Sequence, residues 1–158
     1  MKSTLFLSLF VILPFLYSQE TTVAVRTGDA DIDMHLDEVN RYGKAEFEFF
    51  KKDLSLKFGV SAGDINDYYY KEKFSPGDIY YAFTLSAVTD RPVRTIFDLY
   101  KTKKGWGAIA QEMGIKPGSR EFHMLKGRSL SGIGKVKSKH VDTKKGGIPK
   151  STSKGKRK

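Results

Sequence analysis

The chain has 158 residues, enough for one domain with extensions, and it contains no cysteine. The absence of cysteine excludes disulfide bonds, thiolate metal sites and a cysteine nucleophile. The formal net charge is +10, but it is distributed unevenly. Residues 126–158 carry twelve Lys or Arg and one acid, whereas the other 125 residues carry 16 basic and 17 acidic residues. The positive charge therefore belongs to the last part of the sequence, and the remainder is close to neutral.

The first residues predict a secretory signal. A single Lys2 precedes an apolar run from Leu5 to Leu16, which is shorter than the roughly 20 residues of a membrane-spanning helix. A short basic region, a short apolar region and a small residue before polar sequence are typical of a cleaved signal peptide. We expect cleavage after Ser18, a leader at residues 19–28, and export to the periplasm or the medium. The alternative is an uncleaved N-terminal anchor.

Residues 29–125 predict an all-α domain, built as a compact array of short helices. Its first residues are ambiguous, because Ile32, Met34 and Leu36 alternate with polar residues as in a strand. A single strand would have no evident partner, so an irregular or helical lead-in is an equal expectation. The acidic run at residues 29–33 lacks the glycine and glutamate that an EF-hand needs at its sixth and twelfth positions, which excludes that calcium motif.

The following segments have clear helix boundaries. Apolar residues at helical spacing precede Gly59, which we expect to end a helix as its C-cap; they are Phe47, Phe50, Leu54 and Phe58. Ser61 and Ser75 are predicted N-caps, each with an aspartate at the third helical position. Pro92 predicts another helix start. The predicted buried face of the helix after Ser75 is Ile79, Phe83, Leu85 and Val88, and that of the helix after Pro92 is Val93, Ile96, Phe97 and Tyr100.

Residues 105–126 resemble the first helix and turn of a helix-turn-helix. Ile109, Ala110 and Gly114 fit that motif, but Arg120 and His123 fall where its second helix needs apolar residues. The competing interpretation is a plain αα-hairpin that turns at Gly114 and restarts at Pro117. A nucleic-acid binder that uses residues 105–126 is therefore the alternative functional hypothesis.

Several other residues suggest chemistry only weakly. Trp106 is expected in the core rather than as an exposed stacking platform. Three consecutive tyrosines, Tyr68 to Tyr70, cannot all face the same way on a helix, so one or two should lie near the surface. The histidines are His35, His123 and His140, and no catalytic, cofactor or phosphate-binding motif accompanies them. We expect no cofactor, no metal ion and no enzymatic activity. The third hypothesis is a hydrolase whose site would be evident only in the fold.

Residues 126–158 predict a disordered Lys/Gly-rich tail, because large apolar residues are too few to offset the chain entropy. A dozen cations on a near-neutral domain favour low-specificity binding to anionic envelope polymers or to a membrane surface. A solubilising tail without a partner is the alternative. The residues expected to contact anions are Lys135, Lys137, Lys139, Lys144, Lys145, Lys150, Lys154, Lys156, Arg157 and Lys158.

The segment "GWGAIAQEMGIKPGSREFH", with "DIYYAFTLSAVTDRPVRTIFDLYK" before it, resembles a group of exported bacterial proteins of unknown function. Proteins of that group combine a signal peptide, a helical domain and often a Lys/Gly-rich tail. The resemblance covers about residues 29–127. It implies an exported, bacterial, helical domain, and it brings no catalytic residue and no ligand.

Overall fold

The computed structural model describes residues 25–102 and 104–134. In this part of the chain all regular elements are helical, so the predicted all-α fold is confirmed. The helices are α1 (Ala30–Ala45), α2 (Phe47–Phe58), α3 (Ala62–Asn66), α4 (Pro76–Thr89), α5 (Val93–Lys101), α6 (Trp106–Glu112) and α7 (Arg120–Leu130). A π-helical turn, Asp67–Lys71, continues directly from α3.

Helix α1 resolves the ambiguous acidic lead-in as helical. Asp29 is its N-cap, and the Asp29 carboxylate accepts hydrogen bonds from the backbone N–H groups of Asp31 and Ile32. Ile32 and Leu36 are buried four residues apart, while Met34 between them is 64% exposed. The alternation of apolar residues is therefore a coincidence within a helical pattern.

The predicted helix boundaries are confirmed. Helix α2 ends at Phe58, and Gly59 follows in the left-handed conformation at φ 68°. Ser61 and Ser75 are N-caps, and their side chains accept hydrogen bonds from the backbone N–H groups of the third helical residues, Asp64 and Asp78. Pro92 is the N-cap of α5. Local capping chemistry therefore sets these boundaries.

Helix α4 is the centre of the domain. All residues from Pro76 to Leu85 are buried, and α1, α2, α5 and α7 pack around the helix. A helix that is surrounded in this way needs apolar or small residues on every side. Ser75 and Asp78 form a reciprocal capping box at its start, with the Ser75 Oγ donating to Asp78 Oδ2 at 2.6 Å.

Helices α1 and α4 approach closely through small residues. A Cβ atom at Gly43 would overlap the ring of Pro76, so only glycine allows this contact. One turn earlier, the backbone N–H of Gly77 donates to Asn40 Oδ1 at 2.6 Å. The first N–H groups of a helix have no partner within the helix, and this buried hydrogen bond provides one for Gly77. It also fixes the position of α4 along α1.

The folded domain is longer than residues 29–125. Val25 and Ile133 are both buried in the core, although one lies in the predicted leader and the other in the predicted tail. Helix α7 continues through residue 126 to Leu130. The predicted tail boundary at residue 126 is therefore too early, because Leu125 and Ser129 form a buried face that continues beyond it. None of the described helices is both long enough and apolar enough to cross a bilayer.

Candidate functional site

The ten predicted anion-contacting residues, Lys135 to Lys158, lie outside the described residues, as do the predicted signal peptide and His140. The structure does describe the point at which the chain leaves the domain toward them. This attachment site consists of Lys57 on α2, Tyr80 on α4, and residues 128–134 at the end of α7.

Lys57 holds the last turn of α7. Its Nζ donates to Tyr80 Oη at 2.9 Å, to Ser131 Oγ at 2.7 Å and to the carbonyl oxygen of Gly132 at 2.8 Å. These acceptors are neutral oxygens at the negative end of a helix, where a cation is favoured. Burial and the nearby Arg128 lower the pKa of Lys57 to about 8.

Tyr80 makes the same attachment from α4. Its ring is fully buried, and its hydroxyl donates to the carbonyl oxygen of Ser129 at 2.8 Å. The Lys57 ammonium lies 4.9 Å from the centre of the Tyr80 ring, within cation–π distance. Burial raises the pKa of Tyr80 above its usual value. Two helices of the domain therefore hold the end of α7 through hydrogen bonds.

Gly134 continues the path of the chain along α2. A Cβ atom at this position would overlap the carboxylate of Asp53 and lie 2.7 Å from Tyr42 Oη. The backbone also has a positive φ of 51° here, which glycine adopts readily. Tyr42 Oη donates to Asp53 Oδ2 at 2.7 Å. The chain therefore leaves the described domain beside Asp53, on α2.

Lys126, predicted as the first cation of the tail, is part of the domain. Its Nζ lies 2.9 Å from Asp29 Oδ2 and 2.8 Å from Asp31 Oδ2. The hydrogen bonds that Lys126 donates to these carboxylates raise its pKa. The acidic run at residues 29–33 thus holds α7 against the start of α1, and Lys126 does not add to the cations beyond Gly134.

The helix-turn-helix hypothesis finds little support in this geometry. Seven residues, 113–119, separate α6 from α7, where the motif uses a turn of roughly three or four. Helix α7 packs on α1 and α4, whereas α6 packs on α5. On α7, the exposed Arg120 stands beside the exposed Glu121, and Lys126 is occupied by carboxylates. Such a surface offers little phosphate neutralisation.

The clefts that are open to solvent in the described residues include two of different character. One is lined by charged side chains, and its Lys101 and Glu72 form an ion pair at 2.8 Å. The other is mainly apolar and lies between α6, α7 and the start of α1. Neither is lined by His35 or His123. No group of three or more His, Asp or Glu in the described residues is arranged to hold a metal ion.

Sequence reasoning missed two residues at the centre of this region. Lys57 has the sequence context of an ordinary basic residue in the last turn of a helix, and its partners lie more than 20 residues away. His35 is buried beside Tyr80, with ring centres 6.1 Å apart, and burial lowers the pKa of His35. No local motif marks either residue, because the contacts of Lys57 and the burial of His35 depend on long-range packing.

We expect the substitution Lys57→Met to loosen the attachment site without unfolding the domain. The carbonyl oxygen of Gly132 loses its ammonium donor, so local opening of residues 128–134 becomes easier. Hydrogen exchange should show faster exchange at Ser131 and Gly132, by about tenfold, with unchanged protection in α1. Lys52→Met, an exposed change on the same helix, is the matched control. Identical exchange in wild type and Lys57→Met would contradict this role.

Comparisons of the chain with models of protein families, with curated proteins and with solved structures give no match.

Proposed function

We propose that this protein is an exported, non-enzymatic helical module whose basic segment, residues 135–158, binds anionic polymers or surfaces of the cell envelope. The observation that carries the proposal is the separation of charge. The basic segment holds ten Lys or Arg and one acid, a net charge of +9, whereas residues 1–134 hold 18 basic and 17 acidic residues. Export is supported by the apolar sequence of residues 5–16.

The attachment site supports a separation between a folded domain and a basic segment that binds the anionic partner. Lys57 and Tyr80 hold the end of α7, and the cation of Lys126 is occupied by carboxylates of α1. In the described residues, the cations of Lys57 and Lys126 are therefore used in contacts that hold α7 to the domain. An anionic partner can therefore engage the basic segment without competing for contacts that stabilise the domain.

The magnitude of the attraction is sufficient for weak, reversible binding. A cation next to an anionic surface contributes about 1 kcal/mol at low screening. If about five or more of the ten cations engage at once, the sum exceeds the free energy of a millimolar complex, about 4 kcal/mol. Because the attraction is Coulombic, salt should weaken it.

The test uses the chain without its predicted signal peptide, residues 19–158, called here the mature chain. It compares the mature chain with a chain that ends at Gly134, and dextran sulfate is the anionic probe. We expect the shortened chain to lose measurable binding at low salt while its helical circular dichroism and melting temperature stay unchanged. A full-length chain with the ten cations replaced by Gln is the matched control, since it keeps the length and removes the charge. Equal binding of dextran sulfate by the shortened chain would overturn the proposal.

A further inference from the structure

The outward face of α2 carries exposed apolar side chains. Phe49, Lys52, Asp53 and Leu56 stand at i, i+3, i+4 and i+7 and so share one side of the helix. Phe49 is 62% exposed and Leu56 is 75% exposed. The opposite side of α2 is buried against the core through Phe50 and Leu54. Helix α2 therefore has apolar side chains on its outward face, beside Lys52 and Asp53, as well as on its buried face.

This face coincides with the point at which the basic segment begins. Gly134 packs against Asp53, which lies between Phe49 and Leu56 on the helix surface. The basic segment, residues 135–158, therefore follows in sequence from a residue that lies against this face. A single exposed apolar residue needs no explanation, but an apolar pair at the origin of a polycation combines two features of membrane-surface binding.

Two carboxylates lie on or beside this face, and the charge of one of them, Glu48, is offset by an ion pair. Asp53 accepts a hydrogen bond from Tyr42 Oη. Glu48, at the edge of the face, forms an ion pair with Lys51 at 2.8 Å. Lys52 is exposed between Phe49 and Leu56 and adds a cation to the face itself.

We propose that the outward face of α2 and the basic segment together bind the surface of an anionic lipid bilayer. Phe49 and Leu56 enter the headgroup region, and the cations of residues 135–158 contact the lipid phosphates. This inference rests on the proposed function and narrows its partner from any polyanion to a lipid surface. A soluble polyanion offers no apolar phase to these side chains. A dimer held by two side chains would bury far less than the roughly 1,200 Å² of a stable interface.

The experiment measures binding of the mature chain to vesicles of phosphatidylcholine with phosphatidylglycerol, and in parallel to dextran sulfate. The test variant is the double substitution Phe49→Ser and Leu56→Ser. Because both side chains are exposed, the double variant should fold normally. Met34→Ser, which removes an equally exposed apolar side chain from α1, is the matched control.

We expect the double variant to bind the anionic vesicles about tenfold more weakly and dextran sulfate equally well. Met34→Ser should bind both like the wild type. If the double variant binds the vesicles like the wild type, the α2 face has no part in binding and the inference is overturned. If the substitutions instead abolish a dimer seen by sedimentation, the face binds a second copy and the inference is also overturned. Failure of the proposed function itself is a separate result, namely retained dextran sulfate binding after truncation at Gly134.

A second measurement uses the absence of cysteine in the chain. Leu56→Cys accepts a single environment-sensitive dye, whose emission should shift to the blue on anionic vesicles because the label enters the apolar region. Thr95→Cys, an exposed position on α5, is the labelled control and should not shift. If the dye on Leu56→Cys shows no blue shift when the protein is bound to the vesicles, this result would contradict insertion of the face.

Discussion

Trp106→Ala should destabilise the domain by roughly 3–5 kcal/mol, a large part of the stability of a domain of this size. The indole is 1% exposed. It stacks on Tyr100 with ring centres 4.4 Å apart and meets Tyr81 edge-on at 5.2 Å. Its Nε1–H donates to Asp78 Oδ1 at 2.8 Å. Removing it leaves a cavity and takes a donor from a buried carboxylate.

Trp106→Phe is the intermediate case, because phenylalanine keeps one aromatic ring in the core but removes the N–H donor and part of the buried ring volume. We expect a loss of stability between those of wild type and Trp106→Ala. The measurement is the free energy of unfolding in urea, followed by circular dichroism, since Trp106 is the only tryptophan and its fluorescence disappears with it. A cost below about 1 kcal/mol for Trp106→Ala would contradict the central packing of this residue.

The domain should lose stability steeply above pH 10. Burial raises the pKa of Tyr80 and of Tyr81 above the usual value of 10, so the unfolded chain releases these protons first. The native state then binds more protons than the unfolded state, and stability falls as pH rises. Each fully buried tyrosine should contribute a loss of about 1.4 kcal/mol by about pH 11. Tyr42 and Tyr100, whose pKa values burial also raises, add to the loss.

Lys57 acts with the opposite sign in a lower window. Its pKa of about 8 lies below the usual 10.5, so the unfolded chain binds more protons between these values and stability rises with pH there. The measurement is the free energy of unfolding in urea from pH 7 to about 11.5. Tyr81→Phe should reduce the loss above pH 10 by about 1.4 kcal/mol at about pH 11, because one of the buried hydroxyls is removed. A flat profile above pH 10 would contradict the burial of these hydroxyls.

Features set by neighbouring residues could be predicted from the sequence. The caps at Ser61 and Ser75, the end of α2 at Gly59 and the core position of Trp106 depend on local chemistry or on side-chain size. The end of the domain could not be predicted in this way. Residue 126 belongs to the domain because Lys126 pairs with Asp29, 97 residues away, and no local pattern specifies that pairing.

The candidate site also combines features that the sequence predicts with features that depend on long-range contacts. Composition alone identifies the ten cations of residues 135–158, because a net charge needs no geometry. The place where they join the domain depends on Lys57. This lysine contacts Ser131 and Gly132, which follow it by 74 and 75 positions in the sequence. The helical spacing of Phe49 and Leu56 is visible in the sequence, but their exposure is not, because α2 has apolar residues on both sides.

The central claim is that a polycation attached to a near-neutral domain carries the binding, and the salt dependence of affinity for dextran sulfate tests it most directly. For the mature chain we predict an affinity that falls steadily as salt rises. With several cations engaged, the fall should be about a thousandfold between about 50 and about 200 mM salt. The chain that ends at Gly134 should show no measurable binding across this range. Affinity that is independent of salt, or equal for both chains, would contradict the claim.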